Sequence, residues 1–269
     1  MNRRDFEEAY LVADGVEVLW MDNPNDAQEN TDMDEQYGKA VASGRPPVVR
    51  LWRSGFADGL SLSRRDVAGE RGMAALEQTR NEGLEVVIRQ TGGTAVPQGE
   101  GVFHVSWILP RTSQTVTTDA YFRLLVKPII AWLRELGLEA ATGALPGSYC
   151  DGTYNILVEN RKLVGTAQAW RGGLAGTGSR HPGYILAHAS ITTEVDFEAA
   201  RLWINRFYER AGKDYRMEAD TSISLVQTLP SIFAGVGKKG RNEAALSSLK
   251  DFLCAWLPQR GVKVLGDSV

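Results

Sequence analysis

Cysteine and histidine are scarce in this chain, with two cysteines and three histidines among 269 residues. Two cysteines cannot build a disulfide framework, and three histidines make a metal cluster improbable, so no metal site is expected. No apolar run reaches the roughly 18 residues that a membrane-spanning helix needs. The first fifteen residues include acidic side chains and no apolar stretch, unlike a secretory leader. Basic residues are not in excess either: the formal net charge is -3, which argues against general nucleic-acid affinity. With these absences the expected location is the cytoplasm, where a thiol stays reduced.

What remains is an ordinary soluble composition, 43% apolar and 23% charged, on a chain long enough to bury a sizeable core. The polar, acidic stretch 21–35 reads as a loop leading into a helix that ends near Gly44, and Pro46-Pro47 punctuate the approach to a strand at 48–52. Short β-branched or alternating runs at 59–63, 85–90, 101–109, 153–158, 162–170 and 183–191 read as further strands. Helices are expected at 69–82, 117–136, 196–211 and 241–257, the second kinked or restarted at Pro128. Strands joined mostly by short turns, with long helices between groups of them, predict an α+β fold in which helices flank a mixed or antiparallel sheet.

Three segments carry candidate chemistry. Gly147-Ser148-Tyr149-Cys150-Asp151-Gly152 presents a thiol from a glycine-flanked turn. Free cysteine is usually a small buried filler, but cores seldom contain such turn residues. Cys254, within an apolar helical run, reads as that filler. The second segment, Asn160 to Gln168, places Lys162 just after a hairpin turn; strict alternation would put Lys162, Val164 and Thr166 on one face and Leu163 and Gly165 on the other. A nearby ammonium lowers a thiol's pKa, which makes Cys150 and Lys162 a candidate acyl-transfer dyad. The third segment runs from Arg89 through Gly92, Gly93 and Thr94 to Val96. Such a glycine pair lets backbone approach a ligand and aim amide donors at it, although most glycine pairs at strand ends are only turns. It lacks the third glycine of a dinucleotide fingerprint, and no nucleophile elbow is present. His104 reads as structural, whereas His181 and His188 are candidates for touching a substrate.

In order, 46–53, 89–110, 147–158 and 161–168 resemble the lipoate–protein ligase A, lipoyl(octanoyl) transferase and biotin ligase superfamily. Within it, a cysteine followed twelve residues on by a lysine is most similar to the octanoyl-[GcvH]:protein N-octanoyltransferases. The resemblance implies one catalytic domain over about 25–230, with 231–269 a helical extension packed on it. It implies lipoate-biosynthesis chemistry: Cys150 carries an acyl thioester, and Lys162 lowers its pKa and contacts the acyl carbonyl. Arg89, Gly92, Gly93, Thr94 and Val96 form one wall of an acyl tunnel and Gly165, Thr166, Ala167 and Gln168 another. Val87, Val96, Val105, Ile156 and Val164 are the apolar linings expected. The partners implied are lipoyl-domain proteins, namely the glycine cleavage H protein and 2-oxoacid dehydrogenase E2 subunits, with no nucleic acid and no membrane. Transfer needs no cofactor; an ATP-dependent ligase using Lys162 would need ATP and Mg. A non-catalytic protein that binds lipoyl domains or acyl groups is the third reading. Gln90, Thr94 and Asp151 depart from the family pattern, and Asp151 sets a negative charge beside the proposed thiolate.

Overall fold

The computed structural model describes residues 6–21, 27–113 and 117–268. In chain order its main elements are β1 (Val16–Met21), α1 (Ala27–Ala42), β2 (Val48–Arg53), β3 (Asp58–Ser63), α2 (Gly69–Asn81), β4 (Glu85–Arg89), β5 (Val96–Gly99), β6 (Val102–Pro110), α3 (Thr118–Glu135), β7 (Ala140–Thr142), β8 (Ile156–Val158), β9 (Arg161–Arg171), β10 (Tyr184–Thr192), α4 (Phe197–Arg210), α5 (Leu225–Thr228), α6 (Lys238–Trp256) and β11 (Val264–Ser268). Eight strands form one mixed sheet in the order β11-β1-β2-β6-β10-β9-β8-β7, and β4-β3-β5 form a second, smaller one. Pairing is parallel from β11 to β2 and antiparallel from β2 to β7. This is the expected α+β architecture, with two sheets in place of one.

Alternation along the central strands divides the molecule. On β6, Phe103, Val105, Trp107 and Leu109 enter the main core with Leu124, Ile129 and Trp132 of α3 and Leu246, Leu249 and Leu253 of α6. The opposite face packs Ile108, Tyr184 and Leu186 against Val41 and Ala42 of α1. The small sheet makes its own core with α2 and α4, through Leu60, Leu62, Leu76, Ile204 and Phe207. Helix α1 joins the two sheets: its Gln28 side chain takes both backbone groups of Ile88 on β4, at 2.9 and 2.7 Å, and so serves an edge as a neighbouring strand would.

Three expectations change. Residues 27–35 belong to α1 and are not loop, while 22–26 lie outside the described residues. The polar reading misled because α1 buries Asn30, Thr31 and Asp34, so it has no apolar stripe to display. Helix α3 runs unbroken through Pro128. The stretch 231–269, expected as a helical extension packed on the domain, also carries a strand: α6 supplies main-core residues and β11 pairs with β1 in the large sheet.

What α1 buries is a polar network on the sheet. Arg50, fully buried on β2, donates to Asp34 Oδ1 at 2.8 Å and to Asn30. Asp34 Oδ2 accepts from Ser106 at 2.7 Å and lies 3.5 Å from His188 Nδ1. Burial pushes the Asp34 carboxyl up, yet His188 and Arg50 together hold it below its ordinary value. Removing one partner of such a pair strands the other charge, so Asp34→Ala should cost about 3–5 kcal/mol in urea unfolding. A loss under about 1 kcal/mol would show that Arg50 finds another partner.

Candidate active site

Between β7 and β8 the chain makes a tight excursion that carries Cys150. The turn is closed from within: Asp151 Oδ1 accepts the Leu145 N–H at 2.7 Å, the Ser148 N–H donates to the Leu145 carbonyl at 3.0 Å, and the Asn155 N–H to the Gly152 carbonyl at 3.0 Å. Cys150 itself has φ +48°, a left-handed conformation that costs a residue with a Cβ about 1–2 kcal/mol. Bonds to its backbone hold it there. Its N–H donates to Thr94 Oγ1 at 2.7 Å, and its carbonyl accepts from Asn155 Nδ2 at 2.8 Å. The other end of the buried Asn155 amide accepts the Thr166 N–H at 3.0 Å, which ties the turn to β9.

Lys162 lies beneath the turn and is fully buried. Its ammonium donates to the Tyr149 carbonyl and, at 3.1 Å, to the Cys150 carbonyl, and sits 4.1 Å from the centroid of the Tyr149 ring. Three donor directions thus meet three electron-rich partners. Burial lowers its pKa to about 8, and the charges of Cys150 and Asp151 partly offset that fall. Asp151, expected to oppose the dyad, is a turn staple that also favours the ammonium.

A β-bulge decides where Lys162 points. Leu157 pairs with Lys162 and Ile156 with Val164, so Leu163 is the extra residue. Leu163 and Val164 both enter the main core, against the strict alternation expected. A Cβ on Gly165 would stand 3.3 Å from Lys162 Nζ, which shows the two residues on one side. The freed Leu163 carbonyl is met by Thr192 Oγ1 at 2.9 Å, and the Lys162 carbonyl by the Ile223 N–H at 2.9 Å.

The glycine segment meets this pair from the small sheet. Gly93 is exposed, at φ +99°, and any Cβ there would overlap the Cys150 sulfur. Gly92 stands in open space. Arg89 is buried, and its guanidinium is spent on the carbonyls of Ser61, Gly92 and Thr94 at 2.6, 3.0 and 2.7 Å, so it shapes the loop. Val96 packs in the small-sheet core. At the far end of β9, Arg171 donates to the Gln90 carbonyl at 2.6 Å. The loop therefore crosses the sheet face, fastened near Cys150 and near Arg171.

Under that loop the floor is read from strand register. Gly165, Ser190, His104 and Trp52 form one cross-strand row, and Ala167, His188, Ser106 and Arg50 the next. Ala167 and Ser190 are half-buried. His104 stacks on Trp52, and burial drives its pKa well below the ordinary imidazole value, so it is neutral. His188 Nε2 and His104 Nδ1 each approach Ser190 Oγ, at 3.2 and 3.0 Å. His181 is exposed on the β9–β10 connection.

Residues 26–224 match the lipoyl protein ligase A/B catalytic domain. The chain belongs to that family. It is 39% identical over 207 residues to an octanoyl-[GcvH]:protein N-octanoyltransferase of Kyrpidia tusciae, covering 76% of this chain and 71% of the relative. A protein of the same name from Anoxybacillus flavithermus is 29% identical over 229 residues, 83% of this chain and 75% of its own. Among solved structures, a lipoate-protein ligase A bound with ATP superposes with TM-score 0.65 at 18% identity, covering 95% of this chain and 89% of its own. A Thermoplasma acidophilum putative lipoate protein ligase with bound lipoic acid gives 0.64 at 18% identity, covering the same shares. At those identities the structural likeness establishes the shared fold.

Within the family frame, some expected residues converge and others do not. Cys150, Lys162, Gly93, Thr94 and Gly165 meet at one place, and Ala167 lies on the same strand face. Thr166 and Gln168 point the other way; Gln168 donates to the Thr118 carbonyl at 2.9 Å on the α3 side. Val105, Ile156 and Val164 belong to the main core behind the sheet and cannot line a slot in front of it. Val87 is buried on β4. Asn155 escaped notice because a lone asparagine entering a short strand has no pattern of its own. No helix among the described residues is long and apolar enough to cross a membrane.

The contact at Gly93 is the tightest constraint on the thiol. Gly93→Ala should slow alkylation of Cys150 by iodoacetamide at least tenfold, on the order expected when a reacting atom shifts by a fraction of an ångström, while the Cβ at positive φ costs about 1–2 kcal/mol of stability and leaves the protein folded. Alkylation at the wild-type rate would mean that the sulfur does not rest against this loop.

Proposed function

We propose that this protein is an acyltransferase of lipoate biosynthesis, moving an octanoyl or lipoyl group to a lysine of a lipoyl domain through a thioester on Cys150. The observation that carries the reading is the strained, externally held Cys150 turn with the buried Lys162 ammonium directly beneath it. The names of the related transferases support glycine cleavage H protein as one partner. By the same chemistry, acyl transfer between lipoyl-domain lysines, the lipoyl domains of 2-oxoacid dehydrogenase E2 subunits are the other.

An amide of a lysine is a reluctant acyl donor, and covalent catalysis divides its transfer into two easier steps. Cys150 sulfur attacks the acyl carbonyl, and the tetrahedral intermediate expels the donor lysine amine, which takes a proton. The acceptor lysine then gives up a proton and attacks the thioester, restoring the thiolate. One proton is delivered and one recovered per cycle. Lys162, with a pKa near 8, can do both at neutral pH, where a solvated lysine would hold its proton too tightly. The acyl tail lies along the small residues Gly165 and Ala167, under the 90–93 loop. No nucleotide is consumed, and a step that needs a reduced thiol suits a reducing compartment such as the cytoplasm.

The test uses octanoylated H protein as donor and an apo E2 lipoyl domain as acceptor, without ATP, with intact mass followed on every component. An octanoyl adduct on the enzyme and transfer to the acceptor are expected, both lost in Cys150→Ala. Transfer that requires ATP and survives Cys150→Ser would establish an adenylating ligase instead. Binding without turnover under either condition would leave a carrier-binding protein.

A further inference from the structure

Thr94 and Tyr215 complete a hydrogen-bonded ring around the nucleophile. The Cys150 N–H donates to Thr94 Oγ1 at 2.7 Å, the Thr94 hydroxyl donates to Tyr215 Oη at 3.2 Å, and the Tyr215 hydroxyl donates to the Ser148 carbonyl at 3.1 Å. The path leaves the turn at Cys150 and returns two residues earlier, through side chains 56 and 121 positions apart from their partners. Each hydroxyl accepts one bond and gives one, so all the donors point the same way round and polarise one another. Neither residue is placed by chance. Tyr215 stacks edge-on against Tyr208 at 4.6 Å, and Tyr208 Oη accepts the Ala95 N–H at 2.6 Å while donating to the buried Asp66 at 2.8 Å. Two tyrosines, one in α4 and one just after it, therefore fix consecutive residues of the glycine loop. Burial raises the Tyr215 pKa, which keeps the hydroxyl a donor.

We infer that the Thr94–Tyr215 pair is a positioning device for the acyl-transfer reaction: it holds Cys150 in its left-handed conformation and sets the sulfur against Gly93. A valine at 94 would fill the same space without the bonds, and the Cys150 amide would lose its partner. The turn could then relax toward ordinary φ values, carrying the sulfur off the loop. Thr94, expected as an acyl-tunnel residue, has its hydroxyl committed to the nucleophile's backbone instead. Tyr215 lies outside every motif that the sequence displays.

The inference rests on the thioester reading, and one experiment separates the two. Wild-type, Thr94→Ser, Thr94→Val and Tyr215→Phe full-length proteins are mixed with octanoylated H protein without ATP, and thioester formation is timed by quenched intact mass across donor concentrations. Thr94→Val and Tyr215→Phe should each slow the maximal acylation rate about 10–100-fold, the scale of a misplaced reacting atom, with the half-saturating donor concentration and the thermal midpoint nearly unchanged. Thr94→Ser, which keeps the hydroxyl, should stay within about threefold of wild type, well inside that range. Acylation of Thr94→Val and Tyr215→Phe at the wild-type rate would overturn the positioning role, as would a Thr94→Ser protein as slow as Thr94→Val. Should Thr94→Val fail to fold, Tyr215→Phe, which loses a single oxygen, decides alone. A wild-type protein that forms no thioester would overturn the thioester reading itself, and the inference with it.

Discussion

An ammonium taken out of water costs several kcal/mol unless the protein replaces its solvation. The site is organised around that requirement at Lys162. Its three donor directions are met by two consecutive carbonyls and an aromatic face, all from Tyr149 and Cys150. A partner group cannot move without stranding a charge, so the lysine disciplines the turn that carries the thiol. The bulge at Leu163 exists in the same context: it turns Lys162 to the front of the sheet while Leu163 and Val164 stay in the core behind it. The remaining cost shows in the pKa, lowered to about 8 from 10.5. With the folded value below the unfolded one, the folded chain binds fewer protons between them. The burial penalty is therefore full below about pH 8 and is relieved as pH rises toward 10.5.

The two sheets divide the labour. The large sheet supplies Lys162, Gly165 and Ala167 from β9, on a face whose polar floor is stiffened by Arg50, Asp34 and the two histidines. The small sheet supplies the glycine loop, shaped by an arginine that spends its donors on backbone carbonyls. Neither sheet holds the Cys150 turn alone. Asn155 and Lys162 grip it from one side and Thr94 from the other, so the strained residue lies where the two units close. A strained conformation persists only where its surroundings over-determine it, and this one is gripped from three separate places in the chain.

Much of this was legible in the residues. The order of the glycine pair, the cysteine turn and the lysine strand pointed to the family, and the Lys162 ammonium reaches the backbone of the Cys150 turn. Period-two alternation located the central strands. The errors have physical causes. Alternation assumes an unbroken ladder, and a single bulge reversed the face of Lys162. Apolar residues on β6, β8 and β9 looked like tunnel lining, yet a two-sided sheet assigns them to whichever face the helices cover, and α3 and α6 claimed them. Helix α1 was partly hidden because the surface it buries is polar. Arg89 is expected in a tunnel wall and Asp151 as a charge beside the thiolate, whereas backbone groups that need partners take both side chains. Asn155 and Tyr215 act through contacts distant in sequence, which no local pattern encodes.

The central claim is that Lys162 is a buried, proton-exchanging group beneath the turn that carries the thiol. A direct measure is the titration of its side chain by NMR in lysine-labelled protein, with the resonance assigned by its loss in Lys162→Met. A midpoint close to pH 8 is predicted, with the ammonium form below it and the free amine above. A midpoint at the ordinary 10.5 would mean that Lys162 is solvated and holds its proton throughout the working range, and the account of the site would fail.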